Sequence, residues 1–422
     1  MLQISFIRQN TELVKKLLSV KHFGDLLLVD KVVELDEQVR KLKVESETLQ
    51  SDMNAASKAI GLLMGKGENE AAEQKKLEVT AHKAVMQQLS EQLTIVENEL
   101  QQEIIKFPNL PHSSVPIGKT PEENEVVREW GTKPVLPASA VPHWDLIKKY
   151  DLVDFETGAK ITGSGFPLYK GKGAKLQRAL ISYFLDYNIA AGYTEYLPPL
   201  LVNEASAYGT GALPDKEGQM YHSAIDNLYL IPTAEVPITN IYRDEILKEM
   251  ELPVKMTAYS PCFRREAGSF GSDVRGLNRV HQFDKVEIIQ LVHPDKSYAV
   301  LDEMVQHVEA LLQALNLQYR ILRLCGGDMG FASAITYDFE VFSAAQQKWL
   351  EVSSVTNFET FQTNRMKIRM KNAEGKTQLL HSLNGSSLAL PRIVACLLEN
   401  NQTATGIELP TVLHSYFGAT SI

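Results

Sequence analysis

The sequence predicts an α+β fold in which a largely antiparallel sheet domain is preceded by an antiparallel helical hairpin. Three observations carry that expectation. Apolar residues recur with heptad spacing over the first hundred residues, and a proline cluster then interrupts the pattern. Beyond about residue 140, short strand-like runs return on themselves without strand–helix–strand repeats.

The hairpin comes first. From Val32 the apolar positions step by threes and fours through Leu35, Val39 and Leu42, then Leu49, Met53, Ala56, Ile60 and Leu63, a seam broken once at Ser46. The polar segment GKGENE (Gly65 to Glu70) ends that helix, and a second seam follows at Met86, Leu89, Leu93, Val96 and Leu100. Two such seams joined by a short turn read either as an arm projecting from a larger body or as two helices of a bundle. The absence of proline from both runs favours the arm. At FPNLPHSSVPIGKTPEEN the prolines stop the helix. The expected organisation is residues 1–106 as an N-terminal domain, 107–139 as a linker and 140–422 as the main domain.

In the main domain, GAKLQRALISYFLDYNIAAG has helical spacing and closes at Gly192, and YTEYLPPLLV reads as a strand running into Pro198 and Pro199. Later runs, among them LYLIPTAEVPI, VKMTAYSPCFRREAG, RVHQFDKVEIIQLV and ITYDFEVFSAAQQKWLEVSSVTNF, make strands more numerous than helices. IGKT is not a phosphate loop, because Ser113 stands where that motif needs its first glycine, and no GxGxxG opens a helix after a strand.

Composition excludes little. A hydrophobic share of 44% and a charged share of 23% are those of an ordinary globular protein. Three cysteines without CxxC spacing argue against a disulfide framework and a cysteine-built zinc site, and fit a reducing cytoplasm. Charge arrives too early in MLQISFIRQNTELVKK for a secretory signal, and no run of about 18 apolar residues suggests a membrane span. The net charge of −9 is unusual for a nucleic-acid binder, although a local basic face can sit on an acidic protein.

The stretch FRREAGSFGSDVRGLNRVHQFDKVE, Phe263 to Glu287, is the most densely charged of the strand-like runs. Side chains two apart share a face of a strand, so Arg264 goes with Glu266, and Arg279, His281, Phe283, Lys285 and Glu287 go together. Val286 and Ile288 then point to the core. A guanidinium suits a phosphate, a ring suits a base and a carboxylate suits an ammonium or hydroxyl. The same pattern is also that of a solvated salt-bridge ladder, and spacing alone does not choose.

The string FRREAG…RGLNRVHQFDKVE resembles motif 2 of the class II aminoacyl-tRNA synthetases, in the form found in bacterial-type seryl-tRNA synthetases. AGYTEYLPPLLV resembles motif 1 with Pro199 as its proline, and NGSSLALPRIVACLLEN resembles motif 3 with Arg392 as its arginine. PTAE (Pro232 to Glu235) and EVSS (Glu351 to Ser354) are similar to the family's substrate and ATP segments, and the opening MLQISFIRQN with the hairpin is similar to its tRNA-binding arm.

The resemblance implies an antiparallel class II catalytic domain that joins L-serine to the 3′ end of tRNA(Ser) through a seryl-adenylate, and to tRNA(Sec) where such a tRNA exists. It places Arg264 at the α-phosphate and Arg392 at the γ-phosphate, with Phe283 on the adenine, Glu266 at the adenine amino group, and Arg265 and Arg279 as further ATP contacts. Glu351, Val352, Ser353 and Ser354 complete the ATP segment, with Glu351 and Ser354 as oxygen ligands for Mg2+. Serine recognition falls to Thr233, Ala234, Glu235, Glu287 and Ser386, with Glu235 at the ammonium and Glu287 at the hydroxyl. The resemblance further implies a cytoplasmic homodimer without zinc or membrane attachment. Motif 3 departs from the bacterial pattern at Ser387 and Pro391, where relatives often carry glycine, and Ser387 is expected to add bulk near the pocket. Between Asp30 and Lys106 the arm carries 10 Lys/Arg against 15 Asp/Glu, so its RNA contacts are expected at Lys58, Lys66, Lys75, Lys76 and Lys83.

Two other readings differ in testable ways. A threonyl or prolyl enzyme, or a relative charging a carrier protein, would differ in its zinc ligands or lack the arm. A non-catalytic paralogue would have lost Arg264, Glu266 or Arg392, all of which are present.

Overall fold

The computed structural model describes residues 1–215, 218–266 and 275–422. It divides into two compact units, Met1–Pro108 and Asn109–Ile422. The glycine-punctuated loop expected between the arms of the charged hairpin (residues 267–274) lies outside the described residues.

In the first unit two short helices, Ile4–Gln9 and Thr11–Val20, precede α1 (Leu27–Gly65) and α2 (Asn69–Ile104). The heptad seams meet: Leu35, Val39, Leu42 and Val96 are buried together, with Leu89, Leu93 and Leu100 packed against them. Toward the tip the predicted seam residues Leu49, Met53, Ile60 and Leu63 are only half-buried, because a two-helix arm covers each seam from one side. Ala56 and Ala72 are the buried residues of that outer half, small enough for the helices to approach closely. Lys31 bridges to Glu99 and Glu103, and Lys43 to Glu97, across the pair.

The second unit is built on an eight-stranded sheet. In chain order its strands are β1 (Glu125–Trp130), β2 (Thr194–Tyr196), β3 (Val254–Phe263), β4 (Gln282–Val292), β5 (Tyr319–Arg323), β6 (Ile335–Ser343), β7 (Lys348–Glu359) and β8 (His381–Ala389). They lie in the order β1-β5-β6-β7-β8-β4-β3-β2. Every pairing is antiparallel except that of β2 with β3. Helices α4 (Gly171–Ala190), α5 (Ser297–Ala314) and α6 (Leu390–Asn400) pack on this sheet, and α3 (His143–Lys149) packs against α6. Gly192, at φ 86°, turns the chain from α4 into β2, as its place in the sequence predicts.

The linker expected over residues 107–139 is not one. Asn109 donates from its backbone to the Phe331 carbonyl at 2.8 Å and from its side chain to the Phe358 carbonyl at 2.8 Å, and β1 pairs with β5 as an edge strand. All six β1 residues are exposed, so the segment lacks the half-buried alternation by which a strand is recognised.

The charged hairpin forms, but its strands are shorter than its alternation suggests. β3 ends at Phe263 and β4 begins at Gln282, leaving Arg264, Arg265, Glu266, Arg279 and His281 beyond the ladder. Arg264 N–H still donates to the His281 carbonyl at 2.9 Å, and Glu266 takes a left-handed φ of 48°. Val286 and Ile288 are fully buried, as expected.

Candidate active site

A cavity of about 720 Å3 opens over one face of the central strands. Its floor is polar. Lys285 and Glu287 stand two apart on β4, and the Lys285 ammonium lies 2.8 Å from a Glu287 oxygen. That oxygen also accepts from the Asn384 amide at 3.2 Å, while the other accepts from the Thr233 hydroxyl at 2.5 Å and the Glu235 backbone N–H at 3.1 Å. Lys285 also donates to the Thr233 hydroxyl at 3.1 Å. Burial alone would raise the Glu287 pKa, but the Lys285 charge and these donors hold it below the usual carboxylate value. Glu235 behaves oppositely. Burial and then the nearby Glu287 charge push it up to about 7, against the opposing bond from Gln362 and the charges of Lys285 and Arg264. One face therefore holds a fixed anion, a fixed cation and a carboxyl poised near neutrality.

At the middle of the cavity the Arg264 guanidinium stands over the Phe283 ring, 5.2 Å from its centroid, and donates to the Pro232 carbonyl at 3.3 Å. Arg279 lies 3.4 Å from Glu266. Phe283 pairs with Cys262 across the ladder, and this register brings Arg264 back beside the ring.

The far end depends on an irregularity in β7. Phe339 pairs with Ser353 but Glu340 pairs with Glu351, leaving Val352 as an extra residue. In a regular strand Glu351 and Ser354 would face opposite ways; the bulge brings both onto the cavity face. Asp338, opposite Ser354, is bonded to its hydroxyl. Burial and the Glu351 charge push the Asp338 carboxyl well above its ordinary range, and its Oδ1 is buried without a hydrogen-bond partner. Two carboxyls and a hydroxyl form an all-oxygen set that suits a hard cation completed by water and phosphate oxygens.

Arg392, in the first turn of α6, spans to this end. It donates to the Glu351 carbonyl at 2.8 Å and to the Asn278 carbonyl at 2.9 Å. Asn278 is itself held. Its amide donates to Gln346, whose own amide donates to buried Glu399. Glu399 also lies 2.7 Å from His143 Nδ1, and His143 Nε2 accepts from the Leu277 backbone N–H at 2.9 Å. His143 and Glu399, both without exposed side-chain surface, thus tie the return of the charged hairpin to the helix that carries Arg392.

Of the residues named from the sequence, Thr233, Glu235, Arg264, Glu266, Arg279, Phe283, Glu351, Val352, Ser353, Ser354, Ser386 and Arg392 line this cavity. Arg265, Ala234 and Glu287 do not. Arg265 is exposed and uses its backbone N–H on Gln219; Ala234 is fully buried in a core cluster; Glu287 lies beneath the floor. Ser387 is also away from the cavity, donating to Asn188 of α4 at 2.9 Å, so its expected bulk does not reach the pocket. Pro391 falls within the first turn of α6, where its missing N–H has no helical partner to lose. Sequence reasoning missed Lys285, Asn384 and Asp338 as site residues. Lys285 was legible as a cation on the Phe283 face; Asp338 had no signal short of its pairing with Ser354.

Comparison with known proteins identifies the family. Residues 221–401 match the tRNA synthetase class II core domain (G, H, P, S and T), and residues 1–111 match the seryl-tRNA synthetase N-terminal domain. The serine–tRNA ligase of Salinibacter ruber is 50% identical, the match covering 99% of this chain and 98% of that one. That of Methylacidiphilum infernorum is 47% identical, covering 99% of each. Among solved structures, seryl-tRNA synthetase from Pyrococcus horikoshii complexed with ATP superposes with a TM-score of 0.93 at 31% identity, covering 100% of this chain and 99% of that one. The cytoplasmic serine–tRNA ligase of Naegleria fowleri in complex with AMP does so at 0.88 and 28%, covering 100% and 98%. The chain belongs to the serine–tRNA ligases, the class II aminoacyl-tRNA synthetases that join serine to tRNA at the expense of ATP.

Proposed function

We propose that the cavity holds serine and ATP end to end and joins them at Arg264. A serine carboxylate oxygen attacks the α-phosphorus of ATP, the bond to the β-phosphate oxygen breaks, and pyrophosphate leaves. The attacking carboxylate is already ionised at pH 7, so the step needs no general base, and catalysis rests on positioning and charge. The observation that carries this reading is the place of Arg264, over the Phe283 ring between the polar floor and the Glu351–Arg392 end. There it meets the α-phosphate as charge builds on it, while Phe283 stacks on the adenine and Glu266 accepts from the adenine amino group. Arg279 adds an ATP contact and Arg392 holds the γ-phosphate.

At the floor, Glu235 pairs with the serine ammonium, and Thr233 and Ser386 flank it. Glu287 receives the serine hydroxyl only by releasing one of its four donors, the longest of which is the Asn384 amide at 3.2 Å. A hydroxyl-binding site of this kind rejects alanine by about 10⁴. Glu351 and Ser354, backed by Asp338, would hold Mg2+, which when bound neutralises phosphate charge. The acceptor is tRNA(Ser), and tRNA(Sec) where one is made, gripped by lysines of the arm. The working form is a cytoplasmic homodimer; exposed Leu197, Leu200 and Leu201 of motif 1 offer the apolar surface for it, and the three buried free cysteines suit a reducing compartment.

The test is serine-dependent exchange of pyrophosphate into ATP. Arg264→Ala should lower its rate by about 10² or more, the scale of losing one transition-state charge contact. Exchange near the parent rate would remove Arg264 from the reacting centre.

A further inference from the structure

The polar floor of the cavity is held from behind. On the far face of the sheet Asn188, near the end of α4, is fully buried, and both polar atoms of its side chain are engaged. Its amide N–H donates to the Thr257 hydroxyl of β3 at 3.0 Å, and that hydroxyl donates to the Glu287 carbonyl of β4 at 2.8 Å. Its carbonyl oxygen accepts from the Ser387 hydroxyl of β8 at 2.9 Å and lies 2.7 Å from His307 Nε2 of α5. Burial and then the Lys255 charge lower the His307 pKa to about 4, so the ring is neutral near pH 7 and gives its Nε2–H to Asn188. Tyr187 and Tyr193 flank that ring, with centroids 4.6 and 5.6 Å away.

One side chain thus ties three neighbouring strands at the level of the floor. Thr257 pairs with Ile288, so it sits on the face opposite Glu287 and meets that residue through its backbone. β8 is irregular at the same level. Lys285 pairs with Ala389 but Glu287 pairs with Ser386, which sets both Ser387 and Leu388 against Val286. A bulge of this kind interrupts the ladder, so the strand needs another hold there. Ser387 supplies one by its bond to Asn188, and Ser353 another by donating to the Ser386 carbonyl at 2.6 Å. We propose that Asn188 is a positioning residue of serine recognition, setting the backbone of Glu287 through Thr257 and the bulge that carries Ser386 through Ser387. The proposal rests on reading the floor as the serine site. Loss of either link shifts a serine partner and leaves the ATP end, built on β7 and α6, in place.

Asn188→Ala would strip three buried groups of a partner at once and confuse misfolding with misplacement, so the test removes one hydroxyl at a time. Thr257→Val and Ser387→Ala should each raise the KM for serine in pyrophosphate exchange about fivefold, the scale of one neutral hydrogen bond. The KM for ATP, and kcat per active site at saturating serine, should stay within about twofold of the parent. Thr257→Ser, which keeps the hydroxyl, should restore the parent KM. A serine KM unchanged in either hydroxyl-deleted variant would overturn the proposal whatever the melting temperatures, because the network then serves only the fold. Equal rises in the two KM values would overturn it as well. A parent protein without serine-dependent exchange would instead sink the reading of the floor.

Discussion

The carboxyl of Glu235 gives the floor of the site a pH dependence that can be measured. Burial and the Glu287 charge raise its pKa from 4.5 to about 7. At 1.36 kcal/mol per pH unit, that shift is about 3 kcal/mol of penalty on the ionised form. In the function proposed above, the serine ammonium pairs only with the Glu235 anion. Above pH 7 the carboxyl is ionised before serine arrives; below it, binding must first remove a proton. The value of kcat/KM for serine should therefore be level at pH 7.5–8 and fall about tenfold per unit below about 7. Glu287→Gln deletes the second cause of the shift, so the break should move toward lower pH; Glu235→Gln should abolish it and raise KM. The assay is pyrophosphate exchange at low serine and saturating magnesium–ATP, from pH 5.5 to 8 at constant ionic strength. A flat parent profile, or a break that survives unchanged in Glu235→Gln, would refute the pairing of Glu235 with the ammonium.

Four further outcomes are expected. Glu287→Ala leaves the Lys285 ammonium buried without its anion, so thermal or denaturant unfolding should show a loss of about 3–5 kcal/mol in addition to lost exchange. Glu351→Ala should raise the Mg2+ concentration needed for half-maximal exchange about tenfold, read in a magnesium titration at fixed ATP. His143→Ala removes the acceptor of the Leu277 N–H and frees the segment whose Asn278 carbonyl orients Arg392, so KM for ATP should rise several-fold with KM for serine unchanged. Lys75→Ala/Lys76→Ala should weaken tRNA(Ser) binding and flatten its salt dependence by about two phosphate contacts; the present pairs to Glu78 and Glu73 are exposed and cheap to exchange.

Much of this fold was legible because the patterns that specify it are periodic. The arm's seams repeat by threes and fours over two long helices, and the buried cluster from Leu35 to Val96 falls on the predicted positions. β1 escaped because an edge strand with all six residues exposed has no apolar alternation to detect. The site is less legible for a related reason. A strict period of two puts Glu351 and Ser354 on opposite faces, and only the extra residue Val352 unites them, a feature of pairing with β6 that no local pattern records. Asp338 enters the site through the same pairing. Glu287, by contrast, follows its alternation to this face and is fully buried there; alternation gives a direction and says nothing of how far beneath a surface a side chain ends.

The charged hairpin therefore answers to both readings its spacing left open, each at a different depth. Near the core, Lys285 and Glu287 lie 2.8 Å apart and offset each other's charge. Farther out, Glu266 and Arg279 are close enough to attract but remain partly exposed, a pairing that a ligand can exchange at little cost. Arg264 is treated differently from both. An aromatic face and a backbone carbonyl orient its guanidinium without cancelling its charge. A carboxylate in that place would fix the side chain equally well but would have to be displaced, with its own desolvation to recover, each time a phosphate approached. Holding the cation by a ring and a dipole keeps its full charge directed into the cavity, which is the condition for stabilising a phosphorus centre that gains negative charge only in the transition state.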